Sequence, residues 1–343
     1  MATMRMSDGS AENVLANGAG SGEATPGRGR LSSAGPAAEL AIDTAHKAAL
    51  RSIARVVDET AEPQDPARAE AGIYSMLAAG DVLVITGAGI STDSGIPDYR
   101  GPNGSLKRHR PMTYQEFKHD PAARHRYWAR SFVGWRHMHT AAPNRGHYLL
   151  AEFERHGQLS GIVTQNVDGL HVAAGSENVI PLHGDLSLVR CLNCGNVESR
   201  PNLDARLVEA NPGYLERIEL DPSAVNPDGD VTLEERHVDA FVMVGCIVCG
   251  SVELKPDVVY FGENVPAERK KAVAELEAAS RGVLVVGSSL AVMSGYKIVL
   301  DAVRESKPVG IINGGPSRAD AKADWRWRAR VGTALERLRN DLL

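Results

Sequence analysis

The sequence predicts an α/β fold: a parallel sheet covered by helices on both faces, with a smaller module inserted into the chain. Three observations lead there. Short apolar, β-branched runs alternate with helix-forming stretches, the pattern of strands buried on both faces. One of those runs opens directly into a glycine-rich loop, and the stretch 185–255, which holds all four cysteines, breaks the alternation.

Residues 1–45 are built from Gly, Ala, Ser, Pro and scattered charges without apolar periodicity, and are expected to form a disordered tail. Residues 46–184 and 256–343 are expected to build the sheet domain, and 185–255 the module. Ala67 to Ala79 is rich in helix formers, Asp81 to Thr86 is a strand, and Gly87 to Gly104 is a loop studded with Gly, Pro and Ser. Helices follow between Thr113 and His156, where Trp128, Phe132 and Trp135 fall on one face and read as core. Further strands are expected at Gly161–Gln165, Asn178–Leu182, Gly282–Gly287 and Pro308–Asn313, with helices over Ala267–Ala279 and around Gly295–Glu305.

Composition removes several function classes. Across 343 residues, 43 acidic against 38 basic side chains leave a net charge of −5, so nucleic acid held by bulk charge is not an expected partner. Apolar runs such as Val82 to Ile85 are four residues long, far short of the roughly 20 that cross a bilayer. Four cysteines in two Cys-x-x-Cys pairs, Cys191/Cys194 and Cys246/Cys249, are too few for a disulfide scaffold. They have the spacing of two metal-binding knuckles in a reducing compartment, with the cytoplasm as the expected location. Four thiolates around one Zn²⁺ leave no open coordination position, so the metal is expected to be structural. The insertion between the pairs, Gly195 to Gly245, is acid-rich and reads as a solvated surface loop.

The chemistry-bearing residues lie at strand ends. Gly87-Ala-Gly-Ile-Ser follows a buried-type strand, and its glycines allow backbone amides to approach a pyrophosphate. A dehydrogenase fingerprint would need glycine where Thr92 stands, which moves hydride transfer into second place. Downstream, Ile96-Pro-Asp98-Tyr99-Arg100 sets a carboxylate, a ring and a guanidinium beside that loop. Gln165, Asn166 and Asp168 follow another strand and would point into the same crevice, and His183, at the end of a third, is the natural proton acceptor at neutral pH. Gly287-Ser288-Ser289 and Asn313-Gly314-Gly315 suit ribose hydroxyls and an adenine edge. Lys255 to Glu263 reads as extended and able to pair with a peptide strand.

In this order the motifs resemble the sirtuin family, the NAD-dependent protein deacylases, from about Arg68 to Leu338. The long separation of the cysteine pairs, with Arg126 to Trp135, resembles the class II branch, which includes the fourth mammalian, mitochondrial member; a bacterial source is expected. The resemblance implies a Rossmann-like, doubly wound sheet domain and a small zinc module carrying one structural Zn²⁺. It also implies a cleft between them where NAD, as co-substrate, meets an acylated lysine of a protein substrate. Gly87, Ala88, Gly89, Arg100, Gly287, Ser288, Ser289 and Asn313 would hold the dinucleotide, with Tyr99, Gly314 and Gly315 beside them and Val331 near the adenine. Gln165 would bind the nicotinamide-side ribose, and Asn166 and Asp168, with Ile96 and Asp98, would line the nicotinamide pocket. His183 would be the general base, Asn166 its catalytic companion, and Val258, Phe261 and Gly262 would flank the acyl-lysine. A membrane is not implied, and the expected state is a monomer, cytoplasmic, or in the mitochondrial matrix of a eukaryotic source.

The implied chemistry is departure of neutral nicotinamide, capture of C1′ by the acyl oxygen, and proton removal from a ribose hydroxyl by His183. It gives free lysine, nicotinamide and 2′-O-acyl-ADP-ribose. The basic stretch Gly104–Arg108 has no tyrosine to pair with an acidic acyl group, so succinyl or malonyl preference is not expected. Mono-ADP-ribosyl transfer, lipoamide cleavage and a non-catalytic NAD-sensing module are the other readings.

Overall fold

The computed structural model describes residues 36–101, 104–107, 110–219 and 225–343. Six strands form one fully parallel sheet: β1 (Val82–Thr86), β2 (Leu159–Thr164), β3 (Val179–Pro181), and later in the chain three more. Between β1 and β2 come α3 (Ala88–Ser91), α4 (Tyr114–His119), α5 (Pro121–Thr140) and α6 (Arg145–Arg155), preceded by α1 (Pro36–Ile53) and α2 (Pro66–Ala78), while α7 (Leu170–Ala173) leads to β3. The small module then contributes β4 (Gly184–Cys191), β5 (Val197–Ser199), α8 (Arg200–Ala210), α9 (Glu235–Ala240) and β6 (Leu254–Val258). Last come α10 (Ala267–Ala279), β7 (Gly282–Val286), α11 (Met293–Arg304), β8 (Val309–Asn313), β9 (Trp325–Arg328) and α12 (Val331–Leu342).

The large sheet runs in the order β3-β2-β1-β7-β8-β9. The chain therefore builds outward from β1 to one edge, crosses the small module, and restarts beside β1 with β7. That reversal is a topological switch point, and in open α/β sheets ligands sit beyond the carboxyl ends of the strands there. Every residue of β1 and of β7 is buried, as strands covered on both faces require. One face packs Ile73 and Leu77 of α2, Leu149 and Phe153 of α6 and Leu335 and Leu338 of α12 against the sheet. The other face packs Val273 and Leu276 of α10 and Ile298 and Val299 of α11.

Local sequence fixes where the helices start. Asp65 caps α2 ahead of Pro66, Thr113 and Glu116 form a reciprocal capping box on α4, and Asp120 caps α5 ahead of Pro121. Helix α10 has the expected bounds, and the expected strands and the last expected helix fall on β2, β3, β7, β8 and α11.

Three features differ from expectation. Helix α1 begins at Pro36, inside the stretch read as a disordered tail; residues 1–35 lie outside the described residues. Alanine is both a low-complexity residue and the strongest helix former, and Ala49 and Ile53 give this helix a buried side. The glycine loop after β1 is interrupted by α3 and a 3₁₀ turn at Thr92–Ser94. The insertion between the cysteine pairs is not a solvated loop: Leu203, Leu207, Val225, Val231, Val238 and Phe241 form a shared core with Trp128, Phe132 and Trp135 of α5. The Trp128 indole donates to the Leu254 carbonyl (2.8 Å), which ties α5 to β6. The small sheet, in the order β5-β4-β6, is antiparallel.

Candidate active site

The carboxyl ends of β1, β2 and β7 deliver Gly87, Gln165 and Gly287 to one place. The two glycine loops pack directly on each other: a Cβ on Gly87 would lie 2.7 Å from the Ser288 side chain, and one on Gly89 would lie 2.7 Å from the Gly287 carbonyl oxygen. No larger residue allows that approach. Gly287 also has φ +62, a left-handed conformation that favours glycine.

Two sets of hydrogen-bonded side chains extend from these loops, one through Gln165 and one through Asn166. The Gln165 amide donates to the Thr86 carbonyl (3.1 Å) and to Ser288 Oγ (2.7 Å). The Asn166 amide donates to the Gly87 carbonyl (3.1 Å) and to Ser91 Oγ (3.0 Å), and the Ser91 hydroxyl donates to Asp168 Oδ2 (2.7 Å). Asp168 also accepts from the amide of Leu170, the first residue of α7. Burial pushes the Asp168 carboxyl up, while the Leu170 and Ser91 bonds oppose that rise.

His183 is tied to the Gln165 segment through the backbone, with Nδ1 3.0 Å from the Gln165 carbonyl oxygen and Nε2 2.7 Å from Ser294 Oγ. Desolvation lowers its pKa to about 4, the Arg269 guanidinium adding to the effect and the Gln165 carbonyl opposing it, so the imidazole is neutral at pH 7. Its own carbonyl accepts from the Val259 amide (2.7 Å), and Gly184 pairs with Val258. The base candidate is thereby stitched to the strand expected to hold the acyl-lysine. Beyond Val258, Phe261 accepts from the Tyr114 amide, and Gly262, at φ +85, accepts from Gln115.

The structure brings most of the expected residues to this cleft, each in its own way. Ile96 is buried in the core shared with α5, and Asp98 accepts from the Gly101 amide (2.8 Å). Burial holds the Tyr99 hydroxyl well above its ordinary pKa, with Asp228 of the insertion the next cause. Asn313 closes its own turn onto the Gly315 carbonyl (2.9 Å), Ser289 accepts from the Arg318 amide, and Val331 opens α12, whose start is held to the glycine loop by Arg330 and Asp93 (3.0 Å). A Cβ on Gly315 would meet nothing within 4 Å, leaving that turn open. Arg100 is not turned to a phosphate position. Its guanidinium donates to the carbonyls of Ser52, Ile53 and Arg55 at 3.3–3.4 Å, at the end of α1. The basic stretch Gly104–Arg108 is described only as far as Lys107.

The four cysteines converge, their sulfurs all within 4.8 Å of one another. Cys191 and Cys249 are 3.6 Å apart and Cys194 and Cys246 3.7 Å. That is far beyond an S–S bond and matches the spacing of about 3.8 Å that tetrahedral Zn–S bonds of about 2.3 Å impose. The Ser251 amide and the Asn193 side chain draw the Cys249 thiol down to about 6, whereas, against the Asn196 amide, desolvation and the other three sulfurs push Cys194 up to about 12, as expected of four crowded thiols that share one site. The donor set fits zinc.

The Sir2 family profile matches residues 87–294. A Corynebacterium efficiens protein named NAD-dependent protein deacetylase 1 is 65% identical over 267 residues, 78% of this chain and 95% of its own. The chain belongs to the Sir2 family, the sirtuins. A Streptomyces coelicolor NAD-dependent protein deacetylase 1 is 53% identical over 77% of this chain and 87% of its own, and the Drosophila melanogaster NAD-dependent protein deacylase Sirt4 is 42% identical over 77% and 84%. Among solved structures, a Sir2 enzyme with p53 peptide and NAD⁺ superposes with a TM-score of 0.59 at 28% identity, covering 79% of this chain and 97% of its own. Sir2Tm bound to a propionylated peptide superposes with a TM-score of 0.60 at 27% identity, covering 79% and 97%.

Within this sirtuin, sequence reading missed four participants. Ser91 was visible in the Gly-Ala-Gly-Ile-Ser motif, but its bridging of Asn166 to Asp168 was not. Thr86, Arg269 and Ser294 carry no motif signal; each reaches the site through tertiary approach.

Proposed function

We propose that this chain is an NAD-dependent protein-lysine deacylase with His183 as general base. The observation that carries the reading is the position of the His183 ring. It is neutral, hydrogen-bonded at both nitrogens, and joined through its own carbonyl to the Val259 amide, directly after β6. Gly87 and Gly89 let the two glycine loops pack on each other, which sets the carboxyl ends of β1 and β7 side by side where a dinucleotide would lie. NAD, when bound, supplies a neutral leaving group and a ribose carbon that accepts the acyl oxygen.

The protein's part is placement and proton handling. Both amide hydrogens of Asn166 are committed to Gly87 and Ser91, which leaves its oxygen to accept from a carboxamide such as that of nicotinamide. Gln165, fixed by Ser288 and Thr86, stands between the loops and His183 and suits a ribose. His183 takes the ribose proton at Nε2. Val258, at the end of β6, and Phe261 and Gly262, in the turn that follows, would flank the acyl-lysine. The relatives named protein deacetylases make acetyl-lysine the first substrate to test. The same reading places a monomeric enzyme in the cytoplasm, where four unpaired thiols stay available to zinc.

The deciding experiment incubates the protein with NAD and an acetyl-lysine peptide and follows acyl-ADP-ribose by mass spectrometry. His183→Tyr and His183→Ala are expected to lower its formation by at least about 10²-fold, the usual worth of a general base, with zinc content retained. Product formation at the wild-type rate in both variants would refute the assignment. ADP-ribose on a protein acceptor without acyl-ADP-ribose would replace deacylation by transfer.

A further inference from the structure

We propose that Ser294 is a positioning residue for the general base. The inference rests on His183 being that base and adds what holds its reactive nitrogen. Ser294 is the second residue of α11, whose N-cap, Val292, makes no side-chain capping bond. The Ser294 hydroxyl lies 2.7 Å from His183 Nε2, while Nδ1 lies 3.0 Å from the Gln165 carbonyl oxygen. A carbonyl oxygen can only accept, so Nδ1 carries the proton. In the neutral ring Nε2 then presents a lone pair, and the serine hydroxyl donates to it.

The first turn of α11 is built to deliver this contact. Gly295 follows, and a Cβ there would lie 2.7 Å from Gln165 Oε1. Helix α11 thus presses on the Gln165 side chain with one residue and on His183 with the residue before it. Gln165 holds the other imidazole nitrogen through its backbone. The two groups flanking the ring are locked to each other, and rotation about χ2 would break both bonds.

Serine suits this place because its oxygen both donates and accepts. Before reaction it donates to the single Nε2 lone pair, which fixes the orientation of the ring and reserves that nitrogen until a ribose hydroxyl arrives. When a ribose hydroxyl takes over as donor, the O–H bond breaks, an Nε2–H bond forms, and the electron pair stays on the ribose oxygen as the nucleophile. The serine oxygen then accepts from the new N–H.

The test separates this step from the one before it. Labelled nicotinamide exchanges into NAD in the presence of acetyl-peptide by reversal of the first bond cleavage, which needs no base. Ser294→Ala is expected to slow acyl-ADP-ribose formation roughly tenfold, about the worth of one hydrogen bond. Nicotinamide exchange and the KM for NAD should stay at wild-type values, and Ser294→Thr, which keeps the hydroxyl, should recover the rate. Wild-type product formation by Ser294→Ala overturns the proposal, as does a loss of exchange and product in equal proportion, which marks a structural role. His183→Ala runs beside it: if that variant makes product at the wild-type rate, the reading of His183 falls and takes the inference with it.

Discussion

Three histidines of this chain share one physical state and differ in use. His147 and His171 are fully buried, with ring centroids 4.8 Å apart. His171 Nε2 lies 2.9 Å from Thr86 Oγ1, and His147 Nδ1 accepts from the Asn144 amide. Burial lowers His147 to about 4 and His171 to about 3, as it lowers His183 to about 4. A folded pKa below the unfolded value near 6.5 means that the unfolded chain binds more protons between the two. Stability is therefore full above pH 6.5 and is lost as pH falls toward 4, at up to about 1.4 kcal/mol per pH unit for each fully buried ring. The melting temperature should drop steadily from pH 7 to pH 5, and a flat profile would contradict neutral core histidines. Glu116 acts in a different window: against the cost of burial, Arg110 and Thr113 hold it near 2, so its contribution is lost only below about pH 4.5. For His183 the same shift concerns rate. The acid limb of kcat/KM, which reports the free enzyme's base, should fall below the 6.5 of an ordinary histidine.

Helix α1 is the element that most changes the picture drawn from sequence. Its last carbonyls accept from Arg100, the guanidinium expected on a phosphate, and a Cβ on Gly262 would come within 3.0 Å of Ala49, so the helix touches both the loop after β1 and the segment proposed to flank the acyl-lysine. A cation on the carbonyl end of a helix satisfies groups that otherwise lack partners. If Arg100 moves onto a phosphate when NAD binds, those carbonyls lose their donor. Amides in the final turn of α1 should then exchange with deuterium faster in saturating NAD than without it; slower or unchanged exchange would mean that Arg100 stays on the helix. Strands β1 and β7 could be read because a strand buried on both faces is a continuous apolar run. Strand β9, Trp-Arg-Trp-Arg, could not, since an edge strand mixes stacking rings with charges. The insertion was misread because Leu203, Leu207, Val225 and Phe241 are too scattered to show a period, although the rings of α5 needed a cover. Motif residues that reach the cleft on contiguous stretches, such as Gln165, Asn166 and Asp168, were legible; Ser294, which reaches His183 from 111 residues away, was not.

For the molecule as a whole, zinc is expected to control activity without controlling the large sheet. Each knuckle closes by a backbone turn, the Cys191 amide donating to the Asn196 carbonyl and the Cys246 amide to the Ser251 carbonyl (2.8 and 2.9 Å), but two such turns hold little without the metal. Structural zinc in small finger peptides contributes about 10–16 kcal/mol, comparable to the 5–15 kcal/mol of an entire domain, so the cluster cannot survive its loss by loop contacts alone. The damage should nonetheless stop short of the six-stranded sheet, whose two packed faces draw on α2, α6, α12, α10 and α11 and on no cysteine. It should reach the active site, because Cys191 ends β4, β4 pairs with β6, and β6 runs into Val259, whose amide holds the His183 carbonyl. Chelation is therefore expected to remove one zinc per chain, abolish acyl-ADP-ribose formation, and open 191–251 to protease while 66–101 and 282–343 stay resistant. Added zinc should restore activity. Full turnover by protein shown to be metal-free would break the link between the cysteine cluster and the substrate strand, and collapse of the whole far-ultraviolet signal would show that the two sheets are one cooperative unit.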